Sequence, residues 1–181
     1  MSVINKILGK LGLIETPHSK LQAYHKSMGL PVGSHNSQLD ALTPSLIKIG
    51  KNFVSAPGSK IVSHDSSLIL SHGLLRFGKV VIGDNVFLGA NSVILAGTII
   101  GDNCIIGAGA VVKGTFEANS VIAGNPAKRI MSSNELLEKT KVGTDYIKIP
   151  DHLMARMKVG KLTFEERAEL EFIVIEKISK G

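Results

Sequence analysis

Two histidines and an aspartate stand in the short segment VSHDSSLILSH, residues 62–72. His64 and Asp65 are adjacent, and His72 follows eight residues after His64. Imidazole, with an ordinary pKa of ~6.5, can take a proton from a hydroxyl group near neutral pH, and it is also a common zinc ligand. The segment is therefore an active site, a metal site or a polar loop, and the surrounding elements must decide which.

The chain around this segment repeats with a period of six. Aliphatic residues recur in a first lane at Ile82, Leu88, Ile94, Ile100, Ile106 and Val112. A second lane of mostly small residues contains Val86, Ser92, Thr98, Cys104, Ala110 and Phe116. Glycine follows the first lane at Gly83, Gly89, Gly101 and Gly107. This period predicts an all-β solenoid of short strands with about 18 residues per three-sided coil. An antiparallel sheet with glycine-rich turns is the alternative.

The same phase begins earlier and then breaks once. Ile49, Ser55 and Ile61 are six residues apart, but the phase fails between Ile61 and Ile82. We therefore predict a solenoid domain over residues 46–130, from which residues 62–79 project as an irregular loop. Loops on a rigid scaffold often carry function, so this loop is the predicted active-site region.

The two ends of the chain read as helical extensions. Residues 1–45 form a helical or irregular segment, whose apolar spacing from Val3 to Leu11 predicts an amphipathic helix that packs on the solenoid or weakly contacts a membrane surface. Residues 131–181 form a C-terminal extension. There, Thr163 and Glu166 make a T-x-x-E capping box, which predicts a helix over 163–179.

Composition excludes several classes of protein. The 181 residues contain one cysteine, Cys104, so neither an intrachain disulfide nor a cysteine-based zinc site is possible. The sequence has no apolar run of about 18 residues and no signal-peptide pattern, which favours a cytoplasmic, reducing location. The formal charge of +6 fits an anionic ligand or a phosphate-bearing cofactor, or serves solubility alone.

The run from Val80 to Ile130, with VVIGDNVFLGANSVILAGTIIGDNCIIGAGAVVKG and the closing NSVIAGNPAKRI, resembles a known family. It is similar to the left-handed β-helix acyltransferases with hexapeptide repeats, in the branch of maltose, galactoside and polysaccharide O-acetyltransferases. The resemblance implies a left-handed parallel β-helix and a homotrimer. It also implies that acetyl-CoA lies between adjacent solenoids, with a histidine of one subunit as the general base.

The resemblance also assigns residues to roles near the loop. The family's catalytic histidine lies just ahead of the GDNV coil, where this chain has His64. Asp65 is the candidate that orients the imidazole, and its alternatives are to bind the acceptor or hold the loop. His72 is a rival base or a substrate contact. Arg76 is a candidate to bind an acidic or hydroxyl-rich acceptor.

The implied acetyl-CoA contacts lie farther along the solenoid. Ala90 and Ala108 match small residues beside the pantetheine arm, and Lys128 in NPAK matches a basic residue that meets the CoA phosphates. Lys113 occupies the family's usual Thr position, one residue before its lysine, which puts a phosphate contact there in doubt.

These observations lead to one leading function and several alternatives. The leading function is acetyl-CoA-dependent O-acetylation of a sugar hydroxyl, because the HDSSL loop is similar to enzymes that modify cell-surface polysaccharides or their precursors. A non-catalytic scaffold and an N-acetyltransferase acting on an amino sugar remain open. A γ-type carbonic anhydrase would need three zinc-binding histidines, and only His64 and His72 lie near the solenoid. We therefore expect no metal, and no nucleic-acid partner.

Overall fold

A computed structural model describes residues 37–141, 146–158 and 162–179 of the chain. The strands described there are short, most of them two or three residues long. In chain order they are β1 (Gln38–Leu39), β2 (Ile47–Ile49), β3 (Val54–Ser55), β4 (Lys60–Ile61), β5 (His64–Asp65), β6 (Arg76–Phe77), β7 (Val80–Ile82), β8 (Phe87–Leu88), β9 (Val93–Ile94), β10 (Ile99–Ile100), β11 (Ile105–Ile106), β12 (Val111–Val112), β13 (Thr115–Phe116), β14 (Ser120–Gly124) and β15 (Ala127–Ser132).

Three parallel sheets form the walls of a β-helix. Sheet I has the order β1-β4-β9-β12, sheet II the order β13-β10-β7-β2, and sheet III the order β15-β14-β11-β8-β3. The chain visits sheets II, III and I in turn, and each strand pairs with the strand one coil away. Val81 pairs with Ile99 and Phe87 with Ile105, so the central coil has the 18 residues that the sequence predicts.

The first lane of the repeat points into the solenoid. Its six members from Ile82 to Val112 are all buried, with relative exposures of 2% or less. The second lane is buried as well from Val86 to Ala110, and its mostly small side chains lie beside the bends between sheets. Aliphatic side chains thus stack on their own kind from coil to coil, and this removes apolar surface from water along the whole solenoid.

The three bends of each coil differ, and we name them by their residues. The asparagine corner joins sheet II to sheet III at 50–53, 83–86, 101–104 and 117–119. The alanine corner joins sheet III to sheet I at 56–59, 89–92 and 107–110. The variable corner joins sheet I to sheet II at 40–46, 62–79, 95–98 and 113–114.

The asparagine corner is held by a ladder of side-chain hydrogen bonds. Each amide of Asn52, Asn85 and Asn103 donates to the asparagine of the next coil, ending at Asn119, over 2.9, 3.0 and 3.1 Å. All four asparagines have φ between 54° and 59°, a left-handed conformation that Asn tolerates better than most residues.

The glycines that follow the first lane are explained by close packing between coils and not by a left-handed backbone conformation. A Cβ on Gly89 would lie 2.5 Å from the backbone nitrogen of Ala108, and one on Gly101 would lie 2.5 Å from that of Ala118. The lane glycines are therefore required because the next coil approaches their Cα closely, and the positive φ angles belong to the asparagines and to other glycines.

Two details of the register differ from the prediction. The parallel ladder begins at β1, where Leu39 pairs with Ile61, so the first coil starts before the predicted boundary at residue 46. Phe116 pairs with Ile100, 16 residues earlier, because the last passage of the variable corner is two residues shorter. Phe116 therefore continues the first lane and packs on the core, not the second lane as predicted.

The solenoid ends in a reversed strand and helices. Strand β15 runs antiparallel to β14, with Ser120 opposite Ser132 and Gly124 opposite Ala127. One helical turn, α1 (Ile69–His72), lies between β5 and β6, and three helices follow β15 in the described part: α2 (Ser133–Lys141), α3 (Asp151–Lys158) and α4 (Phe164–Ser179). No helix among these residues has the length and apolarity to cross a bilayer. The predicted N-terminal helix lies outside the described residues.

The predicted capping box at the start of α4 is present. The backbone N–H of Thr163 donates to the Glu166 carboxylate over 2.7 Å, and the N–H of Glu166 donates to the Thr163 hydroxyl over 3.2 Å. These bonds satisfy two donors that the first helical turn leaves free, so the observed helix agrees with the prediction over 163–179.

Candidate active site

The second passage of the variable corner is a β-hairpin that leaves the solenoid. Strands β5 and β6 pair antiparallel, with His64 opposite Phe77 and Asp65 opposite Arg76. A single helical turn, Ile69–His72, closes the hairpin and ends at Gly73, whose φ of 65° is the left-handed value typical of a helix C-terminus. This hairpin is the predicted loop, and it carries His64 at its base, next to the buried Ser63.

The partner of His64 is Asp40, from the first passage of the same corner. The Nδ1 atom of His64 lies 2.5 Å from Oδ2 of Asp40, whose side chain is 1% exposed, whereas the imidazole is 26% exposed. An ionised carboxylate can only accept hydrogen bonds, so Nδ1 must carry the proton in this contact. In a neutral imidazole, Nε2 then holds the free lone pair, which is the arrangement a general base requires.

Several donors keep Asp40 ionised despite its burial. Burial alone raises the pKa of a carboxyl group, but Asp40 Oδ2 accepts the backbone N–H of Ser63 over 2.8 Å and that of His64 over 3.1 Å. Oδ1 accepts the N–H of Leu42 over 2.9 Å. Together with the bonds from the His64 ring and the Ser63 hydroxyl, these donors lower the pKa of Asp40 to about 2.

Ser63 and Thr43 brace the carboxylate from behind. The Ser63 hydroxyl lies 3.1 Å from Oδ2 of Asp40, 2.9 Å from the carbonyl oxygen of Thr43 and 2.7 Å from the Thr43 hydroxyl. Ser63 is fully buried. A buried, satisfied polar network of this kind fixes the direction in which the carboxylate faces the imidazole.

Asp65 does not fill the orienting position proposed from its adjacency to His64. Its Oδ1 accepts the backbone N–H of Ser67 over 2.9 Å, an Asx turn that shapes the hairpin. The carboxyl group is exposed, and its pKa is lowered first by Ser67 and then by the charges of Arg76 and Lys113. Neighbouring residues of a strand point to opposite sides, which explains why adjacency in sequence misleads here.

A cleft of about 340 Å³ opens in front of His64. Its lining residues come from three successive passages of the variable corner: His64, Asp65, Ser66, Arg76, Leu95, Ala96 and Lys113. The cleft therefore combines the predicted base, the predicted acceptor residue Arg76 and Lys113. His72 is not among the lining residues, and its Nδ1 pairs with the Ser71 hydroxyl over 2.7 Å on the exposed turn of the hairpin.

The other predicted co-substrate residues lie at a different corner. Ala90 and Ala108 stack at the alanine corner, where the N–H of Gly109 donates to the carbonyl of Ala90 over 2.8 Å. Lys128 continues this line, since it pairs with Ala123, which packs above Gly107. Within one chain, Lys113 thus belongs with His64, whereas Ala90, Ala108 and Lys128 form a separate edge.

Metal and thiol chemistry find little support among the described residues. No group of three or more His, Cys, Asp or Glu side chains in the described ranges could hold a metal ion. Cys104 is buried, and burial raises the pKa of its thiol, so it is a weak nucleophile that packs in the core.

Sequence reasoning missed Asp40, Ser63 and Thr43. Asp40 follows Leu39, but Leu39 lies 22 residues before its register partner Ile61, and this spacing hides its place in the repeat. One signal in the sequence could have identified Asp40. Leu39 lies ten residues before Ile49, which is four more than one repeat, and an acidic residue follows it in a turn-rich segment.

Comparison with known proteins gives matches to hexapeptide-repeat transferases. The family model "Bacterial transferase hexapeptide (six repeats)" matches residues 79–114. Protein CapG of Staphylococcus aureus is 42% identical over 109 residues, which are 58% of this chain and 63% of CapG. The putative lipopolysaccharide biosynthesis O-acetyl transferase WbbJ of Escherichia coli is 50% identical over 60 residues, which are 33% of this chain and 31% of WbbJ.

Among solved structures, a maltose O-acetyltransferase from Clostridium difficile is 28% identical with a TM-score of 0.43, covering 60% of this chain and 75% of that one. The chain spans less than two thirds of the length of the curated relatives named above. The predicted fold class, a left-handed parallel β-helix, is confirmed. Residues 79–114 match the six-repeat model of the bacterial hexapeptide transferases, and the predicted resemblance to the hexapeptide-repeat acyltransferases is confirmed.

Proposed function

We propose that this chain is an acetyl-CoA-dependent O-acetyltransferase that acts on a sugar hydroxyl, with His64 as the general base. The observation that carries the proposal is the contact between Nδ1 of His64 and the buried Asp40, made by a histidine that lines an open cleft. A carboxylate held against one ring nitrogen fixes the tautomer and the orientation of the imidazole, which is the arrangement expected of a catalytic histidine.

The proposed role of His64 is to remove the proton from the acceptor hydroxyl as its oxygen attacks the thioester carbonyl of acetyl-CoA. The carbon–oxygen bond of the ester forms, the carbon–sulfur bond breaks, and the imidazolium returns its proton to the leaving thiolate. General-base assistance of this kind contributes about 10²–10⁴-fold to rate. Asp40 acts as a positioning residue, because it fixes the tautomer and stabilises the imidazolium while the proton is held.

The alanine corner fits the co-substrate that the resemblance implies. Ala90 and Ala108 present only a methyl group each, so the edge offers a shallow track with accessible backbone. Lys128, exposed at the end of this track, would meet phosphate groups. When bound, acetyl-CoA supplies the acetyl thioester, and the residues of this chain hold and orient it.

Because the track and the base lie at different corners, we propose that a complete site forms between two copies of the chain. His64 of one copy would then face the alanine corner of its neighbour, as in a homotrimer with cyclic symmetry. The named relative in lipopolysaccharide biosynthesis supports a cell-surface polysaccharide or its precursor as the acceptor class. We propose this class, and a cytoplasmic location, for the chain.

The test measures thiol release from acetyl-CoA with a panel of sugars, for the wild type and for His64→Ala. We expect the variant to lose about 10²–10⁴-fold in kcat/KM while circular dichroism shows that the fold is retained. His152→Ala is the matched control, because His152 lies on α3 in an exposed contact with Glu169. Unchanged turnover in the His64 variant, or a loss of equal size in His72→Ala, would contradict the assignment of the base.

Two other functions are distinguished by the same panel. A non-catalytic scaffold would give no thiol release and no binding of acetyl-CoA by calorimetry. An N-acetyltransferase would turn over amino sugars and leave their N-acetylated forms and neutral sugars untouched, because an amine attacks the thioester through the same base chemistry.

A further inference from the structure

Two cations enter the cleft of His64 without a partner in the described part of the chain. Arg76 comes from β6 of the hairpin and Lys113 from the turn after β12. Some other cations in the described ranges do form ion pairs with carboxylates, as Lys141 does with Glu138, His152 with Glu169 and Arg156 with Glu166. Arg76 and Lys113 form no such pair and no side-chain hydrogen bond there, although both lie in a concave site.

The two side chains approach one region from different elements. The Nη2 atom of Arg76 lies 3.7 Å from the point where a Cβ on Gly97 would stand, so the guanidinium lies over the turn after Ala96. Lys113 follows Val112, whose carbonyl accepts the N–H of Leu95 over 2.9 Å, so it occupies the next coil directly beside that turn. Both residues are exposed to the cleft.

The residues that line the cleft carry more positive than negative formal charge. Asp65 is the carboxylate among its described lining residues, and it already accepts the Ser67 N–H. Arg76 lies opposite Asp65 in the hairpin, and after the Ser67 hydrogen bonds the charges of Arg76 and Lys113 also lower the pKa of Asp65. The ionised Asp40 is buried behind the imidazole and does not line the cleft, so along the lining itself one carboxylate accompanies two cations, and a concave surface of this kind attracts an anion.

We propose that the acceptor carries an anionic group, a carboxylate or a phosphate, that Arg76 and Lys113 bind while its hydroxyl lies at His64. This inference rests on the proposed acetyltransferase function and specifies its substrate class. Arginine binds both anions through two parallel hydrogen bonds, and a lysine adds a compact charge. An acidic sugar or a sugar phosphate has the required chemistry, with its anionic group a few ångströms from the reacting hydroxyl.

The phosphates of acetyl-CoA are a second source of the same chemistry. Two observations favour the acceptor. Lys128, the basic residue of the alanine corner, is set apart from the cleft in the same chain. Arg76 and Lys113 line the space in front of the base, where the acceptor hydroxyl must come within about 3 Å of Nε2.

The experiment compares glucose 1-phosphate and glucuronic acid with glucose and methyl glucoside, at saturating acetyl-CoA. We expect the wild-type protein to prefer the anionic probes by at least about tenfold in kcat/KM. Arg76→Gln and Lys113→Gln should each reduce this preference about tenfold while the KM for acetyl-CoA stays within twofold. Arg156→Gln and Lys139→Gln are matched controls on the C-terminal helices, outside the cleft.

A second readout does not depend on turnover. The anionic probes should shift the His64 ring resonances in NMR titrations of the wild-type protein, and they should do so at higher concentration in both cleft variants. Equal affinity for charged and neutral probes overturns the inference. A rise in KM for acetyl-CoA with unchanged acceptor preference also overturns it, because the cations then serve the co-substrate. Loss of CoA binding with retained anion binding instead overturns the proposed acetyltransferase function.

Discussion

The variable corner and the alanine corner are bends of the same solenoid, yet they differ in how many residues the chain uses to pass each of them. At the alanine corner, each passage advances the first lane by six residues, as from Leu88 to Ile94. At the variable corner, the passages advance it by ten residues (Leu39 to Ile49), 21 (Ile61 to Ile82), six (Ile94 to Ile100) and four (Val112 to Phe116).

The difference shows where this fold accepts change. Each strand must stay in register with the strands of the coils before and after it, so insertions are tolerated only where the chain leaves the wall. All the irregular passages of the described solenoid fall at one edge. Asp40, the His64 hairpin and Lys113 each come from one of these irregular passages. The edge with irregular passages therefore also carries the residues of the candidate active site.

Among the changes that keep the imidazole of His64, the largest expected effect comes from removing the carboxylate charge that contacts it. In Asp40→Asn, the amide can donate to Nδ1 and move the ring proton to Nε2, so we expect kcat to fall about 10- to 1000-fold. Asp84→Asn is the matched control at the asparagine corner, where Asp84 accepts the N–H of Lys51 over 2.7 Å. If both variants lost the same activity, the comparison between the two edges would fail.

The same substitution changes the pH dependence of stability. The folded pKa of Asp40, about 2, lies below its ordinary value of 3.8. Its contribution is therefore fully present above pH 3.8 and is lost as the pH falls through the folded pKa. The difference in unfolding free energy between wild type and Asp40→Asn should shrink by about 2 kcal/mol across this window. Denaturant titrations between pH 5 and the lowest pH at which the fold persists would measure it.

The next effect tests whether the two edges meet across copies. We expect His64→Ala and Ala108→Phe each to be inactive, the second because a ring blocks the shallow track. If subunits mix at random in a trimer with sites between copies, co-refolding the two variants should restore about a quarter of wild-type activity. Refolding each variant alone is the control. Recovery no greater than the sum of the separate variants would place both edges in one chain's site.

The smallest expected effect concerns stability alone. A Gly-Ser insertion after Gly114, in the variable corner, should change the unfolding free energy by less than about 1 kcal/mol, since loop length is inexpensive. The same insertion after Gly109, in the alanine corner, should cost several times more because it displaces the strands that follow. Chemical denaturation of the two variants would compare them, and equal losses would contradict the distinction between the corners.

Much of the scaffold was predictable because its cause is periodic. The six first-lane residues from Ile82 to Val112 are all buried and are spaced six residues apart. Their spacing therefore predicts both the length of a coil and the side chains that face its interior. The capping box at Thr163 is local in the same sense, since it needs only two residues three positions apart. The hairpin was predictable as a break in the period, and His64 within it by resemblance.

The orienting residue was not predictable, for a physical reason. Asp40 and His64 are 24 residues apart, and they meet only because Leu39 pairs with Ile61 across an irregular coil. Adjacency suggested Asp65, but the alternation of a strand directs that side chain elsewhere. Phe116 was assigned to the wrong lane for a similar reason. The passage before it is two residues shorter than one repeat, and no residue type in the sequence indicates this shortening.

The reversal at the end of the solenoid has a consequence for colloidal behaviour. An open parallel strand offers unpaired N–H and C=O groups on which another chain can add, which is the origin of edge-to-edge aggregation. Strand β15 turns back and occupies that row along β14, and it carries Lys128 and Arg129 outward. Sheet III therefore ends in a charged, antiparallel seal, and end-on growth of coils into fibres is blocked at this wall.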